Sequence, residues 1–213
     1  MSENNAKIIV VSAPSGCGKG TILHEVFKNT DAFYSVSCTT REPRDEDKDG
    51  ETYHFMDRAG FEKIIAEDGF LEYAEYADNY YGTPRAQTEQ NLAAGRDVIL
   101  EIETKGAFQV KEKVPEAVLI FILPPSVKEL DRRLHKRGTE KEDVIAKRIA
   151  EAVGEIEKSY KYDYVIMNDA LEDAVADFET VLKAVKLGDS SADRFRADSE
   201  YSKKMIKEVL DNA

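Results

Sequence analysis

Cysteine is nearly absent: Cys17 and Cys38 are the two in 213 residues. They offer no metal-ligand spacing. Counting leaves one disulfide open, and a reduced, cytoplasmic chain is the expectation. Histidine is as scarce: His24, His54 and His135 are scattered, fit no ligand pattern and read as structural or exposed, so no protein-held metal is expected. Positive charge is in deficit, with 30 Lys and Arg against 42 Asp and Glu and a net charge of −12. That balance argues against a nucleic-acid or anionic-membrane binder, which needs a net basic face, although it leaves room for a local basic pocket. No run approaches the ~18 apolar residues of a membrane span. The polar start, residues 1–7, lacks the apolar region of a signal peptide. There is no internal repeat and no low-complexity tract.

What remains has the length of one domain, with space for a small appended lobe and a sizeable core. Apolar runs at 8–11, 34–38, 98–102, 118–123 and 164–167 read as strands. Helical patterns at 20–28, 84–94, 106–113, 126–137 and 140–160 lie between them. Buried-looking strands alternating with helices imply an α/β fold: a parallel sheet with helices on both faces. Such sheets bind ligands beyond the carboxyl ends of their strands. From Glu51 to Tyr81 the alternation breaks into Tyr- and Phe-rich extended pieces around a helix at 58–67, which Asp57 could cap. That section reads as an inserted lobe carrying an acceptor site. A polar linker at 188–192 precedes a last helix with Tyr201, Met205, Val209 and Leu210 at helical spacing. This stripe either docks on the body or meets a partner.

One stretch carries chemistry outright: Ala13-Pro14-Ser15-Gly16-Cys17-Gly18-Lys19-Gly20-Thr21, after the first strand and before an apolar-periodic helix. Gly16 and Gly18 allow the backbone to curl so that successive N–H groups face inward. The helix start adds its positive dipole end, and Lys19 places an ammonium on β/γ-phosphates. A Gly-rich turn with a surface lysine is the plain alternative, and the strand-loop-helix context favours the phosphate loop. Two departures from the usual G-x-x-x-x-G-K-[ST] pattern stand out. Ala13 replaces the first glycine, and Gly20 takes the slot whose hydroxyl normally meets Mg²⁺. Adenylate kinases also read G-K-G-T.

Further motifs follow in order: Ser35-Val36-Ser37-Cys38-Thr39-Thr40-Arg41-Glu42-Pro43-Arg44, Gly50-Glu51-Thr52-Tyr53, Phe70-Leu71-Glu72 and Asn79-Tyr80-Tyr81-Gly82-Thr83. With the phosphate loop, they make the chain resemble the guanylate kinase family from about residue 7 to 187. The resemblance implies a P-loop NTPase-type core (1–36, 95–130, 160–187), a small α+β NMP-binding lobe at about 37–92 and a helical lid at about 131–158. Residues 188–213 would be linker and C-terminal helix. It also implies ATP as donor, GMP as acceptor, Mg²⁺ carried on the ATP phosphates, and no nucleic-acid or membrane partner. A monomer or homodimer is expected.

Residue by residue, the resemblance implies that Arg41 and Arg44 clamp the acceptor phosphate with Tyr53 and Tyr81. Guanidinium forks suit phosphate oxygens; taken alone, two arginines around a proline read as a solvated loop. Glu72 would read guanine, whose N1–H and 2-amino group a carboxylate accepts together, with Ser37, Thr83 and Glu103 around the base. Glu101 stands where the family usually has an Asp near the metal, and Lys105, where Gln is common, is given no role. Residues 13–21, Arg133, Arg137 and Asn168 would hold the donor, Asn168 and Arg137 against its base. Lys19, Arg41, Arg137 and Arg148 would serve transfer by neutralising phosphoryl oxygens. Lys136, Lys141 and Lys147 read as solvated. Two other readings stay open: a guanylate-kinase-like phosphoprotein-binding module without catalysis, and a kinase of other acceptors, with dGMP a secondary substrate.

Overall fold

A computed structural model describes residues 5–137 and 141–212. The chain forms two compact units, one of the segment up to Val10 with Asp31–Ala117, the other of Val11–Thr30 with the segment from Val118 onward.

The parallel sheet is built from apolar runs. Strand β1, Ile8–Ser12, is buried at every position, and β8, Val118–Leu123, at all but its first. Strands covered on both faces read as continuous hydrophobic sequence, which is why these two are plain in the chain. The order is β2-β7-β1-β8-β9, with β2 at Phe33–Tyr34, β7 at Val98–Glu101 and β9 at Tyr164–Met167. The pairs β2–β7 and β8–β9 are parallel.

In the first unit, the apolar run at 34–38 is not one strand. The chain leaves β7 after Ser35 N–H donates to Ile99 O. It then starts a second sheet as β3, Cys38–Thr39. That sheet runs β4-β3-β6-β5, with β4 at His54–Phe55, β5 at Phe70–Tyr76 and β6 at Asn79–Pro84. Strands β5 and β6 form an antiparallel hairpin turning on Ala77 and Asp78, both at positive φ. The two left-handed residues match the twist of the flanking strands. Helix α2, Arg58–Ala66, buries Phe61 in this sheet. The Phe61 ring stacks on Phe70 at 4.3 Å and on Tyr80 at 5.1 Å. A Cβ at Gly82 would lie 2.9 Å from the Phe61 ring, so a glycine is required there. Asp57 caps α2 as expected, accepting from Gly60 N–H at 2.7 Å. Asp57→Ala should remove about 1 kcal/mol. The melting temperature should fall by about 2–4 °C in a thermal scan. Helices α3, Arg85–Ala93, and α4, Thr104–Lys113, complete the unit.

The second unit holds α1, Lys19–Val26, α5, Val127–Arg137, and α6, Glu142–Ile156. The sequence pattern carried α6 on to 160, but the α-helix stops at Ile156 and a short 3₁₀ turn follows at Ser159–Lys161. Helix α7, Leu171–Leu187, is absent from the sequence reading. Its buried residues, Ala174, Phe178, Val181 and Ala184, make one clean stripe, and Gly188 ends it in a left-handed cap. Helix α8, Glu200–Asp211, docks within this unit. Ser202, Met205, Ile206 and Val209 face inward, whereas Tyr201 is exposed and Leu210 half-buried. Both cysteines are free and buried. No described helix is long and apolar enough to cross a membrane.

Candidate active site

In the first unit, a cavity of about 250 Å³ is lined by Ser37, Tyr53, Glu72, Tyr81 and Glu103, among others. Five residues distant in sequence thus meet. Glu72 on β5 is only 5% exposed. Thr83, opposite it on β6, donates its hydroxyl to Glu72 Oε1 at 2.7 Å. The other oxygen faces Gly106 on α4, where a Cβ would stand 2.6 Å from Oε2. Burial pushes the Glu72 carboxyl above its ordinary range, against the hydrogen bonds from Thr83, and the neighbouring Glu103 charge adds to the rise. Bonded by Thr83, the buried carboxylate retains capacity for further donors. A planar ligand offering adjacent N–H groups would satisfy it.

Arg41 lies beside this cavity rather than in its lining. Its guanidinium is 2.8 Å from Asp47 and donates to Glu42 O. It sits 5.6 Å from the Tyr53 ring and 5.7 Å from that of Phe55. Tyr53 and Tyr81 meet edge to face at 5.8 Å. Arg44 is exposed, and its backbone N–H donates to the same Asp47 carboxylate. Glu101 accepts from Tyr34 O–H at 2.8 Å. No described cluster of His, Cys, Asp and Glu could hold a metal ion.

In the second unit, Gly16 at φ +87° and Gly18 at φ +91° curl the loop at residues 13–21. Lys19 opens α1 behind it. Cys17 is tied from several sides. Its N–H donates to Pro14 O at 3.0 Å. Its thiol points at Ile122 O, and burial pushes that thiol up to about 12. Its carbonyl accepts from Asn168 Nδ2 at 2.6 Å and from Arg133 Nη1 at 3.3 Å. Arg133 is itself held by Glu129, Nε to Oε1 at 2.9 Å. Arg132 and Arg133 together pull the Glu129 carboxyl down to about 2. Arg148 on α6 reaches Ser15 Oγ at 3.4 Å. Arg137 closes α5, and its side chain lies outside the described residues.

The sequence model of the guanylate kinase family matches residues 5–185. The chain belongs to the guanylate kinase family. A guanylate kinase of Thermus thermophilus is 52% identical over 184 residues, 86% of this chain and 82% of that one. A guanylate kinase of Carboxydothermus hydrogenoformans is 56% identical over 181 residues, covering 84% and 89%. The crystal structure of guanylate kinase from Anaplasma phagocytophilum matches with a TM-score of 0.70 at 34% identity, over 85% of this chain and 87% of that one. The fold of this family is the P-loop NTPase α/β fold that the resemblance implies, with the parallel sheet that the alternating strands imply.

Sequence reading missed several residues around these groups in both units. Gly106 makes room for the Glu72 carboxylate. Asp47 braces Arg41, and Tyr34 occupies a Glu101 oxygen. Glu129 fixes Arg133, and this pair alone had a local signal, because residues four apart share a helix face.

Proposed function

We propose that the protein transfers the γ-phosphoryl group of MgATP to GMP, giving ADP and GDP. The observation that carries this reading is the buried Glu72 carboxylate in the wall of a cavity, held by Thr83 on one side and flanked by Gly106 on the other. Guanine presents N1–H and a 2-amino group to such a carboxylate, and adenine has no equivalent donor pair. Residues 37–92 act as the acceptor lobe and residues 131–158 as the lid. Ser37, Thr83 and Glu103 surround the base. Arg41, Arg44, Tyr53 and Tyr81 take the acceptor phosphate. Asp47 aligns Arg41 for that grip.

The loop of residues 13–21 and Lys19 take the donor phosphates, with Arg148 and Arg137 neutralising the transferring group. Arg148 already stands at the loop residue Ser15. Mg²⁺ arrives as part of the donor, since the slot after Lys19 is Gly20 and carries no hydroxyl. The acceptor phosphate is ionised at neutral pH, so positioning and electrostatic stabilisation carry the chemistry without a strong base. Because no residue assigned here reads the ribose, dGMP is a secondary acceptor. The protein then serves nucleotide recycling in the cytoplasm.

The test is ADP release from MgATP with GMP, dGMP, IMP, AMP, CMP or UMP. Release with GMP, trailed by dGMP, is expected. A site built on hydrogen bonds rejects the wrong base by up to ~10⁴. Release with AMP would refute the Glu72 assignment. GMP binding without release under any acceptor would leave a binding module.

A further inference from the structure

Two residues that the resemblance assigns to the donor nucleotide, Asn168 and Arg133, also direct donor groups to the protein. Asn168 follows β9 and is buried. Its backbone N–H donates to Leu123 O at 2.8 Å, which pins it to the end of β8. Its side-chain amide donates to Cys17 O at 2.6 Å. Arg133 donates to the same carbonyl at 3.3 Å, and to Asn168 O at 3.4 Å. The carbonyl of the residue between the two left-handed glycines thus has two donors.

We propose that Asn168 and Arg133 are positioning residues that set the phosphate loop through the Cys17 carbonyl. In a trans peptide the C=O and the following N–H point in opposite directions in one plane. Holding Cys17 O from behind therefore turns Gly18 N–H toward the opposite side, where a concave run of N–H groups receives an anion. Gly18 completes the arrangement. A Cβ there would stand 2.6 Å from Asn168 Nδ2, so the amide occupies the space a side chain would need. Preorganised donors need no rearrangement when phosphate arrives, which is the source of their strength. Glu129 keeps the Arg133 fork from swinging away. The inference rests on reading residues 13–21 as the donor-phosphate site.

The experiment compares wild type, Asn168→Ala and Asn168→Asp. KM is measured for ATP, GTP and GMP, and inorganic tripolyphosphate is titrated by calorimetry. Losing a hydrogen bond that orients a charged site should raise KM for ATP about tenfold in Asn168→Ala. KM for GMP should not move, and tripolyphosphate binding should weaken by the same factor. Asn168→Asp should be worse, because a carboxylate would face the Cys17 carbonyl. A lost ATP-to-GTP preference with unchanged tripolyphosphate binding would overturn the proposal and make Asn168 a base reader. Unchanged KM for ATP would overturn it as well. If Asn168→Ala does not fold, judged by its melt and GMP binding, Asn168→Ser is read by the same criteria. The tripolyphosphate titration needs no turnover. A wild-type protein that binds tripolyphosphate but phosphorylates no acceptor would defeat the kinase reading, and this proposal would then stand or fall on binding alone.

Discussion

Lys19→Met should lower the rate of phosphoryl transfer by on the order of 10³-fold while leaving the affinity for GMP unchanged. The ammonium at the start of α1 is the loop's own positive charge, and methionine keeps its length without its charge. Removing one group that meets developing charge in a water-poor site costs about 10²–10³ in rate. The acceptor cavity draws its lining from residues 37–106, none of them near Lys19 in the chain, so GMP binding serves as the internal control. Single-turnover release of ADP, with GMP calorimetry on the same preparation, reads both. Transfer at the wild-type rate would remove Lys19 from the mechanism.

The second large effect is at Glu72. Glu72→Gln keeps the shape and replaces one acceptor by an NH₂ group, which then opposes the donor edge of guanine. An unsatisfied buried polar pair costs roughly 1–3 kcal/mol, so KM for GMP should rise between about 5- and 150-fold. The pH profile sharpens the test. Base recognition needs the ionised carboxylate, and burial holds its pKa above the ordinary carboxylate range. Affinity for GMP should therefore fail as pH drops through that raised value, earlier than for a solvated glutamate, and this acid limb should vanish in Glu72→Gln. Stability moves the other way. With the folded-state pKa above the unfolded one, the contribution of Glu72 is largest when protonated and is lost as pH rises through the folded value. The glutamine variant should accordingly melt no lower than wild type at neutral pH. An unchanged KM with an unchanged acid limb would move base recognition to another residue.

The parts of this protein legible in its sequence are those governed by neighbours in the chain. Gly16, Gly18 and Lys19 announce a curled loop at a helix start because backbone curvature and helix start are local properties. β1 and β8 announce themselves because strands buried on both faces are apolar without interruption. The Asp57 cap is local too. The run at 34–38 misleads for the opposite reason: its composition suits a strand throughout, and only partners far along the chain, Ile99 on one side and His54 and Gly82 on the other, divide it. Helix α7 escaped reading although its stripe is regular, because charged residues separate the small buried ones, Ala174 and Ala184. At the candidate site, resemblance named Glu72 and Thr83, but only folding shows the Thr83 hydroxyl bonded to the carboxylate and Gly106 beside it. Asn168 shows the limit most clearly. Nothing in Met167-Asn168-Asp169 tells that the amide faces the carbonyl of a residue 151 positions away.

The parallel sheet ends in two margins that resist growth. At one, β2 is two residues long, too short to template another chain. At the other, the segment before α8 returns beside β9: Arg196 bridges Tyr164 antiparallel, and Ala197 N–H donates to Asp163 O. Buried Phe195, next to that bridge, anchors the return. The last stretch of the chain, which lies past the residues matched to the family, thus works as a selvedge: it finishes the fabric so that the next thread cannot be woven on.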